Sequence, residues 1–423
     1  MLTGAGSDRK VVPMAPRREA RATELQIQID DVYACLGQCA GCVLTPEERK
    51  TMSADMSEET LDLAIERLRE HAATSGPLKR VNLTFGIADH LLIGVDYMRH
   101  IHALGSSVIE AGNPSDRAHS AVFFTTSLVG KPQSVIAMLR ETRSRLESDV
   151  PFIPLVVLDG RLIKAAKFGP MWREMVLAAK ELFGKVDLST NLSTDAVGCM
   201  SPEELATFAA RNGFDEVTVN WAPTMRNASG TLGDTAAIAK WLLEFDQLAE
   251  KRHSLTTSFR PVIARTIDSI MCGDGHAPSL VNAVEQIVPE TIRKSIEIDH
   301  LGYLLPKFEA IGDITHADRH GLAPLGNIRD GSIASIIDKA MPRILSKIIG
   351  IHAQGACSTC RHSAVCAGTG FHVATHVARR SGRSQVFAEE SCPHVAFPVI
   401  DRIAAEMMAV EATAERGTLW AAC

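Results

Sequence analysis

The sequence predicts an α/β protein, a parallel sheet wound from consecutive strand–helix units and curled into a barrel or partial barrel. Three observations carry this. Six short strand-like runs alternate with segments of helical period between about residue 25 and residue 258. Polar residues collect at the C-terminal ends of several of those strands, where a parallel sheet builds its site. Three cysteines follow the first strand closely, in the segment Asp31 to Leu44.

The elements run in order. Leu25 to Asp30 alternates apolar and polar residues and reads as a half-buried strand. Ser57 to His71 opens on a capping serine, and Leu61, Ala64, Ile65 and Leu68 fall at helical spacing. Lys79 to Phe85 is the second strand, and a helix capped by Asp89 is expected from Leu91 onward. The third strand is Ala121 to Thr126, followed by a helix over Gln133 to Glu147. Phe152 to Leu158 and the helix Met171 to Phe183 form the fourth unit. Val186 to Leu192 is the fifth strand, and its helix runs from Pro202 to Asn212, between the cap Ser201 and the stop Gly213. Glu216 to Trp221 and the helix Asp234 to His253 complete the sixth. Strands alternating with helices imply parallel pairing, and right-handed crossovers curl such a sheet. The rhythm breaks at about Phe259, which divides the chain into a flexible lead-in (1–24), a barrel (25–258) and a C-terminal module (259–423).

Cys35, Cys39 and Cys42 form a C-x3-C-x2-C array at the end of the first strand. Three thiolates so close together can wrap one iron–sulfur cluster, and a four-iron cluster that takes only three leaves one iron open. Cys39 and Cys42 alone would also suit a redox dithiol or half a zinc site, but neither needs Cys35. The array and its place resemble the radical S-adenosylmethionine (SAM) enzymes. The resemblance implies an open six-unit barrel, a partial (β/α)6 TIM-like fold with the substrate in its C-terminal mouth. It implies a 4Fe-4S cluster whose open iron chelates SAM, and reductive cleavage of SAM to a 5′-deoxyadenosyl radical that takes a hydrogen atom from the substrate. The family usually has an aromatic residue before the third cysteine; here Gly41 fills that place in the cofactor loop, so adenine contacts must come from elsewhere.

The other cofactor positions follow from the same resemblance. In the family the second strand ends in Gly-Gly-Glu-Pro, whose backbone and acid hold the SAM amino group. Ile87-Ala88-Asp89-His90 stands there, which gives Ala88 and Asp89 that role, although Asp89 is equally suited to cap the next helix. Asp159, Ser189, Asn191 and Asn220 end the fourth, fifth and sixth strands, where the family contacts the SAM ribose, its carboxylate or the substrate. The serine of the family's Ser-x-Asp-Gly is missing from Val157-Leu158-Asp159-Gly160.

A second cysteine group is Cys357-x2-Cys360-x5-Cys366, then Cys392, downstream of Gly326-Asn327-Ile328. This resembles the SPASM extension, which carries two auxiliary four-iron clusters on radical SAM enzymes that mature peptides. Gly370 and Lys307 stand where two of its ligands are expected, and Cys272 is the one remaining thiol of the first auxiliary site. One thiolate cannot hold a cluster. The expectation is therefore one auxiliary 4Fe-4S cluster, closed by Cys357, Cys360, Cys366 and Cys392, in electron transfer or structure. The same four thiolates would also hold structural zinc. His316 and His320 lie in a polar loop able to face the barrel mouth, and Cys199 or Cys272 could donate a hydrogen atom, though a buried inert thiol is the commoner case.

Composition sets the remaining bounds. A net charge of −6 over 423 residues gives no basic field for nucleic acid. No apolar run is long enough for a membrane span, and the N-terminus lacks the apolar core of a secretory signal. Clustered cysteines in such a chain point to metal in the cytoplasm rather than to disulfides. The resemblance implies a peptide or small-molecule substrate and an electron donor such as flavodoxin or ferredoxin. The rival from another class is a non-catalytic iron–sulfur or zinc scaffold on a barrel.

Overall fold

A computed structural model describes residues 23–32, 55–86, 88–164, 168–192, 194–221, 235–257, 263, 267, 280–306, 324–353, 358–369 and 398–406. The first six strands are β1 (Thr23–Ile29), β2 (Leu78–Phe85), β3 (Ala121–Thr126), β4 (Phe152–Leu158), β5 (Asp187–Leu192) and β6 (Glu216–Trp221). Between and after them come the helices α1 (Glu58–Thr74), α2 (Val95–Gly112), α3 (Pro132–Ser144), α4 (Phe168–Phe183), α5 (Thr194–Cys199), α6 (Pro202–Asn212) and α7 (Thr235–Lys251). The expected elements are all present, each end within three residues of its sequence reading. The exception is the segment after Asp89, which makes a single 3-10 turn (His90–Leu92) before α2 starts at Val95.

Beyond α7 lie β7 (Leu255–Thr257), α8 (Leu280–Lys294), β8 (Ser295–Ile298), β9 (Tyr303–Pro306), β10 (Gly326–Asn327), α9 (Ile333–His352) and α10 (Ser363–Thr369). All ten strands belong to one sheet, in the order β10-β9-β8-β1-β2-β3-β4-β5-β6-β7. The neighbours from β8 through β1 to β7 pair in parallel, and β9 and β10 are antiparallel additions. This is the partial barrel, six sequential βα units, carried one short strand further at β7 and flanked on the β1 side by β8 to β10. Those four late strands were not expected. At two to four residues each they are too short to show a period.

Register separates the two faces. Ile27 pairs with Leu83, Ile29 with Phe85, Leu83 with Val122 and Phe85 with Phe124. These residues face the helices: a Cβ on Gly105 of α2 would come 2.7 Å from Val122 Cγ2 and 3.3 Å from Phe85 Cε2. The buried apolar side chains of β1 to β6 and of the covering helices form one core cluster. Burial of those stripes drives the winding, at roughly 25 cal/mol per Å² of apolar surface. The opposite face then carries Gln28, Thr84, Phe123 and Ile153 in one aligned row, and further along it Leu155 beside Asp187 and Ser189 beside Thr218.

Candidate active site

The polar residues expected at the candidate site lie at the C-terminal ends of the parallel strands, on or next to the face away from the helices. Asn191 pairs in register with Asn220, and Ser189 lies two residues before Asn191 on the same face. Ser189 is buried, and Asn220 Nδ2 donates to its Oγ at 2.7 Å. Two of the expected cofactor positions are thus joined by one hydrogen bond across β5 and β6. Asp159 follows β4, is buried, and accepts at its carbonyl from Leu162 N at 2.9 Å, which opens the 3-10 turn Gly160–Lys164.

Asp89 is more heavily committed than the sequence suggested. It caps the turn His90–Leu92 through Leu91 N, 3.3 Å from Oδ1, as one sequence reading expected. Thr126 Oγ1 also donates to Oδ1, at 2.9 Å. Ser127 donates to Oδ2 through its backbone N, at 3.1 Å, and through its hydroxyl. A carboxylate that is 3 % exposed therefore ties the end of β2 to the end of β3. Ala88 is buried beside it, and its carbonyl accepts from Thr125 Oγ1 at 2.5 Å.

The sequence reading missed a second carboxylate. Asp31, just past the end of β1, is fully buried against His90 and Tyr97. The signal was available: two acids in succession, Asp30 and Asp31, at the end of a strand whose neighbours bury both faces. At the other end of the barrel, Asp187 begins β5. Burial first, and the nearby charges of Glu216 and Asp215 after it, push its carboxyl up to about 6 against the pull of Lys185 at 3.1 Å. Lys185 is held protonated by Asp187 and Glu216 despite its own partial burial, so the pair suits the lysine and not the acid.

Cys35, Cys39, Gly41, Cys42, Cys357 and Cys392 lie outside the described residues, as do Cys272, Lys307, His316, His320 and Gly370. Cys360 and Cys366 are placed. The Cys360 carbonyl accepts from Ser363 N at 3.1 Å at the start of α10, and Cys366 is buried with its N–H donating to His362 O at 2.8 Å. Arg361 and His362 both reach Asp401, at 2.6 and 2.7 Å, and the next residue, Arg402, donates to the buried Asp246 of α7 at 2.7 Å. Residues 398–406 thereby staple the cysteine segment to the barrel. The Gly-Asn-Ile segment has a local reason. Gly326 sits where a Cβ would come 2.8 Å from Ile336 Cγ2, Asn327 and Asp330 form a reciprocal capping box, and Ile328 is fully buried.

No family model matches the chain, and no curated protein matches it either. Solved structures do resemble it. One is native anSMEcpe with bound AdoMet and the Cp18Cys peptide, at TM-score 0.49 and 12 % identity, covering 91 % of this chain and 99 % of that one. Another is SuiB of Streptococcus suis bound to its precursor peptide SuiA, at TM-score 0.48 and 14 % identity, covering 82 % and 72 %. Likeness at this level carries no inference about activity, which the residues themselves must supply.

Proposed function

We propose that the protein is a radical SAM enzyme. The observation that carries the reading is a coincidence of place. The C-x3-C-x2-C segment follows β1 in the sequence, and the C-terminal end of β1 lies on the same rim as Asp89, Asp159, Ser189 and Asn220 at the ends of other parallel strands. Three thiolates suit a four-iron cluster with one open iron, and when bound the cluster and SAM supply one-electron reduction and a hydrogen-abstracting radical. The chain's own residues bind and orient. Asp89 offers the acceptor for the SAM ammonium. Its lone pairs already meet four donors, so the ammonium replaces the Ser127 hydroxyl, the donor most easily turned away. Ser189, Asn191 and Asn220 offer alternating donors and acceptors to the ribose and carboxylate, and Gly41 and Ala88 leave room for close backbone approach.

Cys357, Cys360, Cys366 and Cys392 would hold one auxiliary 4Fe-4S cluster, which would supply an electron relay, with flavodoxin or ferredoxin as external donor. The substrate is a peptide or a small molecule that loses a hydrogen atom inside the barrel mouth. Anaerobic reconstitution tests the whole reading. The protein should bind iron and sulfide and, when reduced, turn SAM into 5′-deoxyadenosine. Iron binding without any SAM cleavage would make it a scaffold instead.

A further inference from the structure

Asp31 lies four residues before Cys35. Its carbonyl accepts from Met56 N at 2.9 Å, so the chain departs toward the cysteines and returns from them at one point. Its carboxylate meets donors from two other elements. His90 Nε2 is 3.1 Å from both oxygens, and Tyr97 Oη of α2 donates to Oδ2 at 2.8 Å.

His90 is fully buried, and its other nitrogen, Nδ1, is 3.2 Å from the Thr125 carbonyl. Nδ1 also lies 3.3 Å from the Thr125 hydroxyl, which itself donates to the Ala88 carbonyl, so the acceptors at the two ring nitrogens, a carbonyl and a carboxylate, favour the imidazolium. Burial alone would lower its pKa. The charge and hydrogen bond of Asp31, with the Thr125 carbonyl and the charge of Asp89, leave it raised instead. The Tyr97 hydroxyl is held protonated by burial and by Asp31, with Asp55 the further charge that faces it. The slot for the ring is cut by Gly86. This residue has φ +78, and a Cβ there would stand 2.0 Å from His90 Cε1, so only glycine lets the imidazole reach Asp31.

An ion pair this deep is a poor source of stability, since well-packed apolar replacements are often neutral or better. What it supplies is a single geometry. We propose that Asp31, His90 and Tyr97 form a clamp that fixes the root of the cysteine segment against the turn after β2. His90 and Tyr97 are then positioning residues for the cluster on Cys35, Cys39 and Cys42 and for the SAM held between that segment and Asp89. The proposal rests on the cluster reading above.

The test uses the full-length chain with His90→Gln and Tyr97→Phe. Two measurements are needed besides the melting temperature. One is amide hydrogen exchange at Met56 in the metal-free protein, and the other is the SAM dependence of the reduced cluster's electron paramagnetic resonance spectrum. In His90→Gln, Met56 should exchange at least tenfold faster and the spectral change should need at least tenfold more SAM. Tyr97→Phe should move both several-fold with a melting temperature within a few degrees of wild type, whereas His90→Gln, which leaves the Asp31 carboxylate buried without its counter-charge, should also melt several degrees lower. Wild-type exchange and titration in both variants would overturn the clamp alone. A wild type with no SAM-responsive signal would overturn the cluster reading and the clamp with it. Should His90→Gln fail to fold, Tyr97→Phe, which keeps the ion pair, decides: unchanged exchange and titration refute the clamp.

Discussion

Replacing Asp89 with alanine removes the acceptor for four donors at once: Leu91 N, Thr126 Oγ1, Ser127 N and Ser127 Oγ. The two hydroxyls can turn to other partners, but the two backbone N–H groups cannot. Each N–H left without an acceptor away from water costs about 1–3 kcal/mol, so the variant should lose about 2–6 kcal/mol of stability, seen as a melting temperature lower by several degrees. SAM affinity measured by equilibrium dialysis on the reconstituted protein gives the second half. Loss of a charge-assisted bond is worth about 1.5–3 kcal/mol, so the dissociation constant should rise ten- to a hundredfold. Ser127→Ala separates the two roles. It frees one acceptor position on Asp89 and should bind SAM at least as tightly as wild type. An unchanged dissociation constant in Asp89→Ala would leave Asp89 as a tie between strand ends and refute its cofactor role. A stability loss below about 1 kcal/mol would refute the hydrogen-bond network itself.

Two further outcomes follow from the same residues. Iron analysis with Mössbauer spectroscopy should find about eight irons per chain, in one open and one closed four-iron cluster, and Cys272→Ala should leave that number unchanged. About twelve irons would mean that other ligands rebuild the lost auxiliary site, and about four with one zinc would make the C-terminal site structural. At the base of the barrel, Asp187 is raised from 3.8 to about 6, so its penalty is absent below the lower value and complete above the higher. Asp187→Asn should therefore stabilise the protein by about 3 kcal/mol at pH 8 and by about half of that at pH 5, read from denaturant midpoints. Equal gains at both pH values would refute the assignment.

The βα rhythm was legible because each strand of six to eight residues carries its own period and some helices carry a capping serine, as at Ser57 and at Ser201, where the capping box is present. The strands β7 to β10 were not, since Leu255–Thr257 or Gly326–Asn327 pair only because a longer neighbour offers its edge. In the site, the polar strand ends stood out against apolar runs, and register alone brings Asn191 beside Asn220. The link from Asp31 to His90 and Tyr97 was not readable. It spans 59 and 66 residues of chain and depends on the Gly86 slot, which only the fold reveals.

The central claim is tested most directly by Cys42→Ala. Reconstituted anaerobically and reduced, the wild type should convert SAM to 5′-deoxyadenosine, whereas Cys42→Ala should form none while retaining the iron of the C-terminal cluster. Cleavage at the wild-type rate in Cys42→Ala, or none from a wild type carrying its full iron, would contradict the radical SAM reading.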